Sequence, residues 1–215
     1  MADMNKVALT SLGAAGAAGT AVGGGMLAKS YHNANSFTRK KYKHAMLRLD
    51  SDAAIWDSKY AILKSSKDTP KNSTLSLALA KSKDGEESKA KELLRQGCEE
   101  VYNSHEEEKY FEDFKKFCAK TNKDVSSRTT WITGNDKSDS WNAPLGTLKD
   151  YSGDLEPYLL SVKNSLRKEN NGYQDAEREW IKGWCEDTQQ ELFDGTMGST
   201  KLSNQDTFCT SNQQQ

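Results

Sequence analysis

The chain has 215 residues, of which 35% are hydrophobic and 28% charged, with a formal net charge of -1. That length holds one medium domain or two small ones. The near-neutral balance excludes a global field that would draw the chain to nucleic acid, so no nucleic-acid partner is expected. A mean hydropathy of -0.86 implies a thin core that needs help from another source. Few prolines and a middle rich in Lys, Glu, Leu and Ala favour helices.

The first element is an apolar run. Val7 to Ala28 is 22 residues without a charge, long enough to cross a bilayer as a helix. Six of those residues are Gly and seven are Ala, so the run is only weakly apolar. Three readings are open: a cleaved signal peptide after the basic Lys6, an uncleaved anchor, or a Gly/Ala tail with no membrane role. A signal or anchor over residues 1–28 is the expectation, with the membrane as partner through residues 7–28. Small residues four apart (Ala15, Gly19, Gly23) would let two such helices pack closely and self-associate. Gly23 to Ser30, GGGMLAKS, nearly matches a phosphate loop. Ala28 stands where the second Gly belongs and no amphipathic helix follows, so that motif is rejected.

After a linker over 29–35 comes the basic cluster Arg39, Lys40, Lys41 and Lys43. It reads as a contact for anionic headgroups beside the membrane, against the plainer reading of a solvated helix start. Lys40 to Lys64 then suits one surface helix or two short ones. Glu86 to Asn103 places Leu94, Cys98 and Val101 on one helical face, and Glu106 to Lys120 does so with Tyr110, Phe114 and Phe117. Pairs Glu87–Lys91 and Glu112–Lys116 sit at i, i+4 and add support of roughly 0.2–0.5 kcal/mol each. Ser126 to Trp141 reads as loop with one short strand at Thr129 to Thr133. Leu159, Val162 and Leu166 mark a further helix, ended by Asn170 to Gly172, and Gln174 to Phe193 another. From Asp194 the chain reads as irregular, tied down only at Phe208 and Cys209, with 211–215 a disordered tail.

A repeat runs through these elements. KELLRQGCEE (Lys91 to Glu100) aligns without a gap to REWIKGWCED (Arg178 to Asp187), 87 residues on, with Cys98 facing Cys185. At the same offset Pro70 faces Pro157, Leu75 faces Val162, Leu79 faces Leu166 and Gly85 faces Gly172. Trp56-Asp57 matches Trp141-Asn142 at an offset of 85, and Phe117-Cys118 matches Phe208-Cys209 at 91. Matching punctuators and apolar positions are what a fold constrains most, so we read two related units, 36–120 and 121–210, against the rival of coincidence in a biased composition. The fold class expected is mainly α: an N-terminal apolar Gly/Ala-rich helix, then two related small helical units, with room for one short strand pair.

Four cysteines allow three pairings. The repeat singles out Cys98 with Cys118 and Cys185 with Cys209, each closing a loop worth on the order of 3 kcal/mol. Two other readings stand beside it: buried free thiols, or a metal held by Cys98, His105 and Cys118. The second unit has no His, and no C-x-x-C pair occurs, which weighs against metal. None of His32, His44 and His105 sits in a nucleophile or zinc arrangement, and the acid-rich run Glu99 to Tyr110 reads as a solvated face. No cofactor and no catalytic residue are expected. Trp56 and Trp141 read as core; Trp180 and Trp184 share a helix face; Trp131 is isolated. Topology is in conflict, because Lys29, Arg39, Lys40, Lys41 and Lys43 after the span would hold the body inside, whereas disulfides place it outside.

The Gly/Ala-rich start, the DAAIWD and DSWN blocks (Asp52 to Asp57, Asp139 to Asn142), and the Trp184-Cys185 and Phe208-Cys209 endings resemble large paralogous families of uncharacterised proteins from hemotropic mycoplasmas. Gly97, before Cys98, departs from the aromatic-Cys pattern. The resemblance implies a membrane-anchored or exported surface protein, with its body outside the cell. It implies a role in host-cell contact or antigenic variation, with host-cell or immune proteins as partners and no catalysis. The alternatives are a small envelope metal binder or enzyme, and a scaffold on the inner leaflet.

Overall fold

The computed structural model describes residues 36–135, 138–167 and 172–211. The apolar run at 7–28, the linker at 29–35 and residues 212–215 lie outside them. The described chain is mainly helical, and among the described residues no strand forms, only isolated bridges.

The first half is built from α1 (Phe37–Lys41), α2 (Ala53–Ser65), α3 (Ser73–Lys83), α4 (Glu87–Asn103) and α5 (Glu107–Asp113), which runs into a π turn, Phe114–Cys118. Of the expected helical span Lys40 to Lys64, only the end of α1 and α2 are helical; 42–52 is turn and bridge, with Met46 paired to Ala119. Ser36 caps α1 by accepting the Arg39 N–H, and Asn72 caps α3 by accepting the Leu75 N–H, satisfying donors that a first helical turn leaves free. Helix α3 escapes the sequence reading as a separate element. It buries Leu75, Ala78 and Leu79, and it lies close along α4. Gly97 permits that approach: a Cβ there would stand 2.7 Å from Leu75 Cδ2 and 3.0 Å from the Leu75 backbone nitrogen. Gly85, at φ +82°, makes the left-handed turn between the two helices.

The second half holds α6 (Asn122–Val125), a 3-10 turn (Asp139–Trp141), α7 (Asn142–Asp150), α8 (Pro157–Ser165), α9 (Asp175–Gln190) and α10 (Thr200–Phe208). Helix α10 corrects the expectation of an irregular tail from Asp194. Ser199 caps it by accepting the Leu202 N–H, and Leu202, Asn204, Gln205 and Phe208 are buried. The segment is polar because Asn204 and Gln205 spend their amides on backbone carbonyls, at Asp154 and Asn122. A hydrophobicity pattern does not register such a helix.

Two apolar clusters divide the chain, one from Ala45 to Ala119 and one from Trp141 to Cys209. Trp56 and Trp141 lie in them at 5% and 2% exposure, as core. Each indole donates to a carbonyl a short distance upstream, Arg48 O and Gly134 O respectively. The residue after each tryptophan meets a cation on the long helix: Lys91 pairs with Asp57 at 2.9 Å, and Arg178 donates to Asn142 at 3.0 Å. Lys91 also reaches Glu87, as expected at i, i+4. The Glu112–Lys116 expectation is corrected. The π turn changes the register between those residues, and Lys116 reaches Asp68 instead.

The expected strand at Thr129 to Thr133 is also corrected: it shrinks to one antiparallel bridge, Trp131 with Thr210, matched in the first half by Met46 with Ala119. Lys120 donates its N–H to Ala45 O, and Ser211 donates its N–H to Thr130 O. A third bridge, Thr121 with Leu192, joins the halves, flanked by Asn122 N–H to Glu191 O and Phe193 N–H to Lys120 O.

Candidate functional site

The cysteines pair as Cys98–Cys118 and Cys185–Cys209, with Cα separations of 5.2 and 5.5 Å and loops of 20 and 24 residues. All four are fully buried. A disulfide sulfur is not a thiolate, so Cys98 and Cys118 in this state are not the ligands that a site with His105 would need. Among the described residues no cluster of three metal-ligating side chains forms.

Each bridge ends beside one of the backbone contacts. Ile132 donates its N–H straight to the Cys209 carbonyl at 3.0 Å. At the matching place the Tyr102 hydroxyl is inserted: it accepts the Leu47 N–H at 3.1 Å and donates to the Cys118 carbonyl at 2.5 Å. Burial pushes the Tyr102 phenol well above its ordinary value. The Ser36 hydroxyl donates to the Tyr102 carbonyl, so the start of α1 docks on the same residue.

The basic cluster separates into two parts. Arg39 is committed to the fold: it donates to Asn103 Oδ1 at 2.8 Å and Glu99 Oε2 at 2.7 Å, and its guanidinium lies over the Tyr102 ring. Lys40, Lys41 and Lys43 are exposed, with Lys41 lying over the Tyr42 ring.

A concavity lies elsewhere, at the junction of the halves. It is an open cleft of about 850 Å³ between α2, the π turn, α6 and the end of α9. Its cations are Lys59, Lys115, Lys116, Lys123 and Arg128, against the carboxylates of Glu112 and Asp124. Lys59 and Asp124 are paired at 2.7 Å with side chains 3% and 12% exposed. Asp124 also accepts the Thr121 N–H, closing a capping box at the start of α6. That pair therefore builds the cleft floor and contributes no free charge. Of the rest, Lys115 and Arg128 are exposed, and Lys123 lies over the Trp131 ring. The field is positive beside an aromatic surface.

Trp131 is thus not isolated: it joins the bridge to Thr210 and lines the cleft. Sequence reasoning missed this site because Lys59 and Arg128 are nearly 70 residues apart. The one local signal was Thr121-x-x-Asp124, a capping-box pattern that marks α6.

No protein-family model, curated protein or solved structure matches the chain. Among the described residues no helix is long and apolar enough to cross a membrane.

Proposed function

We propose that this is a surface protein, membrane-anchored or exported through residues 1–28, whose body contacts host-cell or immune proteins and does no catalysis. It consists of two related helical units, 36–120 and 121–210, each closed by its own disulfide. We place it with the paralogous families of hemotropic mycoplasmas that its tryptophan and cysteine blocks resemble. The paired cysteines carry this reading: two buried disulfides and no free thiol suit an oxidising exterior and are rare in a reducing cytosol. The recurrence of the bridge beside each disulfide (Met46 with Ala119, Trp131 with Thr210) supports common descent of the two units. The commitment of Arg39 to Glu99 weakens the charge argument for an inner-leaflet body, since one of its cations already has a partner. The junction cleft is the proposed contact surface, and its charge fits an acidic segment on the partner. The test is protease shaving of intact cells. The proposal expects cleavage after Lys43 without lysis, and intact mass four hydrogens short of the reduced chain. Protection until lysis, with four free thiols, overturns it.

A further inference from the structure

Helix α9 carries a second concavity, away from the junction. It is a cup of about 460 Å³ lined by Tyr158 of α8 and by Glu179, Trp180, Gly183, Trp184 and Asp187 of α9. The α9 residues fall at i, i+1, i+4, i+5 and i+8, so one side of the helix supplies them all. We infer that this cup binds a small alkylammonium cation, with the aromatic rings as its walls and the two carboxylates as its counter-charge.

Three observations converge on that ligand. Aromatic side chains as large as Trp180 and Tyr158 usually bury themselves, yet these are 39% and 48% exposed beside the cup, while Trp184 is 8% exposed. Ring faces are the negative ends of the aromatic quadrupole, and they attract cations, quaternary ammonium groups above all. Glu179 and Asp187 are exposed, and neither forms an ion pair with a described residue. Among the described residues no Lys or Arg lines the cup, and the nearby Lys182 is committed to Glu186 at 3.0 Å. The local field is therefore negative and repels phosphate or carboxylate ligands.

Gly183 is the third observation. Glycine inside a helix lowers its stability. Gly97 has a packing reason, because Leu75 fills the space beside it; a Cβ at Gly183 would meet nothing within 4 Å. Packing does not explain Gly183, and because it lines the cup a larger side chain there would take up part of that space.

The test uses the full, oxidised chain, choline, and its neutral carbon isostere 3,3-dimethylbutan-1-ol. Indole N–H resonances of Trp180 and Trp184 report binding. Choline is expected to shift both, saturably, and to bind about tenfold more tightly than the isostere. Glu179→Gln/Asp187→Asn should weaken choline by a similar factor. Gly183→Leu should abolish binding with the helix content unchanged by circular dichroism. Phosphatidylcholine vesicles form a further arm: co-sedimentation assigns a lipid headgroup as the source of the cation, and binding of choline alone assigns a free small quaternary ammonium ion. Equal affinity for the isostere, unshifted indoles, or undiminished binding by folded Gly183→Leu overturns the inference. Each of these outcomes is independent of where the body sits relative to the membrane.

Discussion

Tyr102 donates its hydroxyl to the Cys118 carbonyl and so extends a contact that elsewhere in the chain is made by backbone alone. Where Ile132 reaches Cys209 directly, Leu47 reaches Cys118 through the phenol. One side chain thereby links α4, the end of a disulfide loop and the segment before α2. Tyr102→Phe leaves the Leu47 N–H and the Cys118 carbonyl without this partner in a buried place. The expected loss is about 1–3 kcal/mol of unfolding free energy, read from urea denaturation.

The same phenol predicts an alkaline limb. Its folded pKa is raised by burial, so the unfolded state loses its proton first as pH rises. The neutral-phenol contribution is complete below the ordinary phenol value near 10 and declines above it. Wild-type stability should fall more steeply between pH 9 and 11 than that of Tyr102→Phe. Identical slopes would mean that Tyr102 is not held neutral by the fold.

Gly97 and Gly183, each within two residues before a bridged cysteine, predict opposite signs. Gly97→Ala drives a methyl against Leu75, including its backbone nitrogen, and should destabilise by about 1–3 kcal/mol. Gly183→Ala meets open space and should stabilise α9 by up to about 1 kcal/mol through helix propensity. Thermal unfolding of both variants checks the contrast.

Removing a disulfide should act locally as well as globally. Cys185→Ala/Cys209→Ala opens a loop of 24 residues and should cost about 3 kcal/mol. Hydrogen exchange should quicken first in α10, whose last turn that bridge holds. Loss of protection in α3 and α4 before α10 would contradict this.

Lys59→Met leaves Asp124 charged, nearly buried and without its cation. About 3 kcal/mol should be lost. Lys115→Glu/Arg128→Glu, at exposed positions on the cleft rim, should leave stability nearly unchanged and lower binding to host cells. Unchanged cell binding would remove the cleft from the proposed function.

The amphipathic periodicity of α4 and α9, the core tryptophans and the cysteine pairing were all legible in the chain. Each rests on spacing that local geometry imposes, or on the correspondence of Phe117-Cys118 with Phe208-Cys209 along the chain. Helix α10 and α3 were less legible, because Asn204 and Gln205 are buried through hydrogen bonds and the leucines of α3 alternate at 75, 77 and 79, so its helical apolar stripe is weak. The placement of Trp131, the commitment of Arg39 to α4 and both concavities were decided only by tertiary structure. They depend on residues brought together from distant parts of the chain, and no local propensity encodes the distance between Lys59 and Asp124 or the space left beside Gly183. Sequence sets which faces must be buried; the packing of those faces decides which charges and rings remain open to a partner.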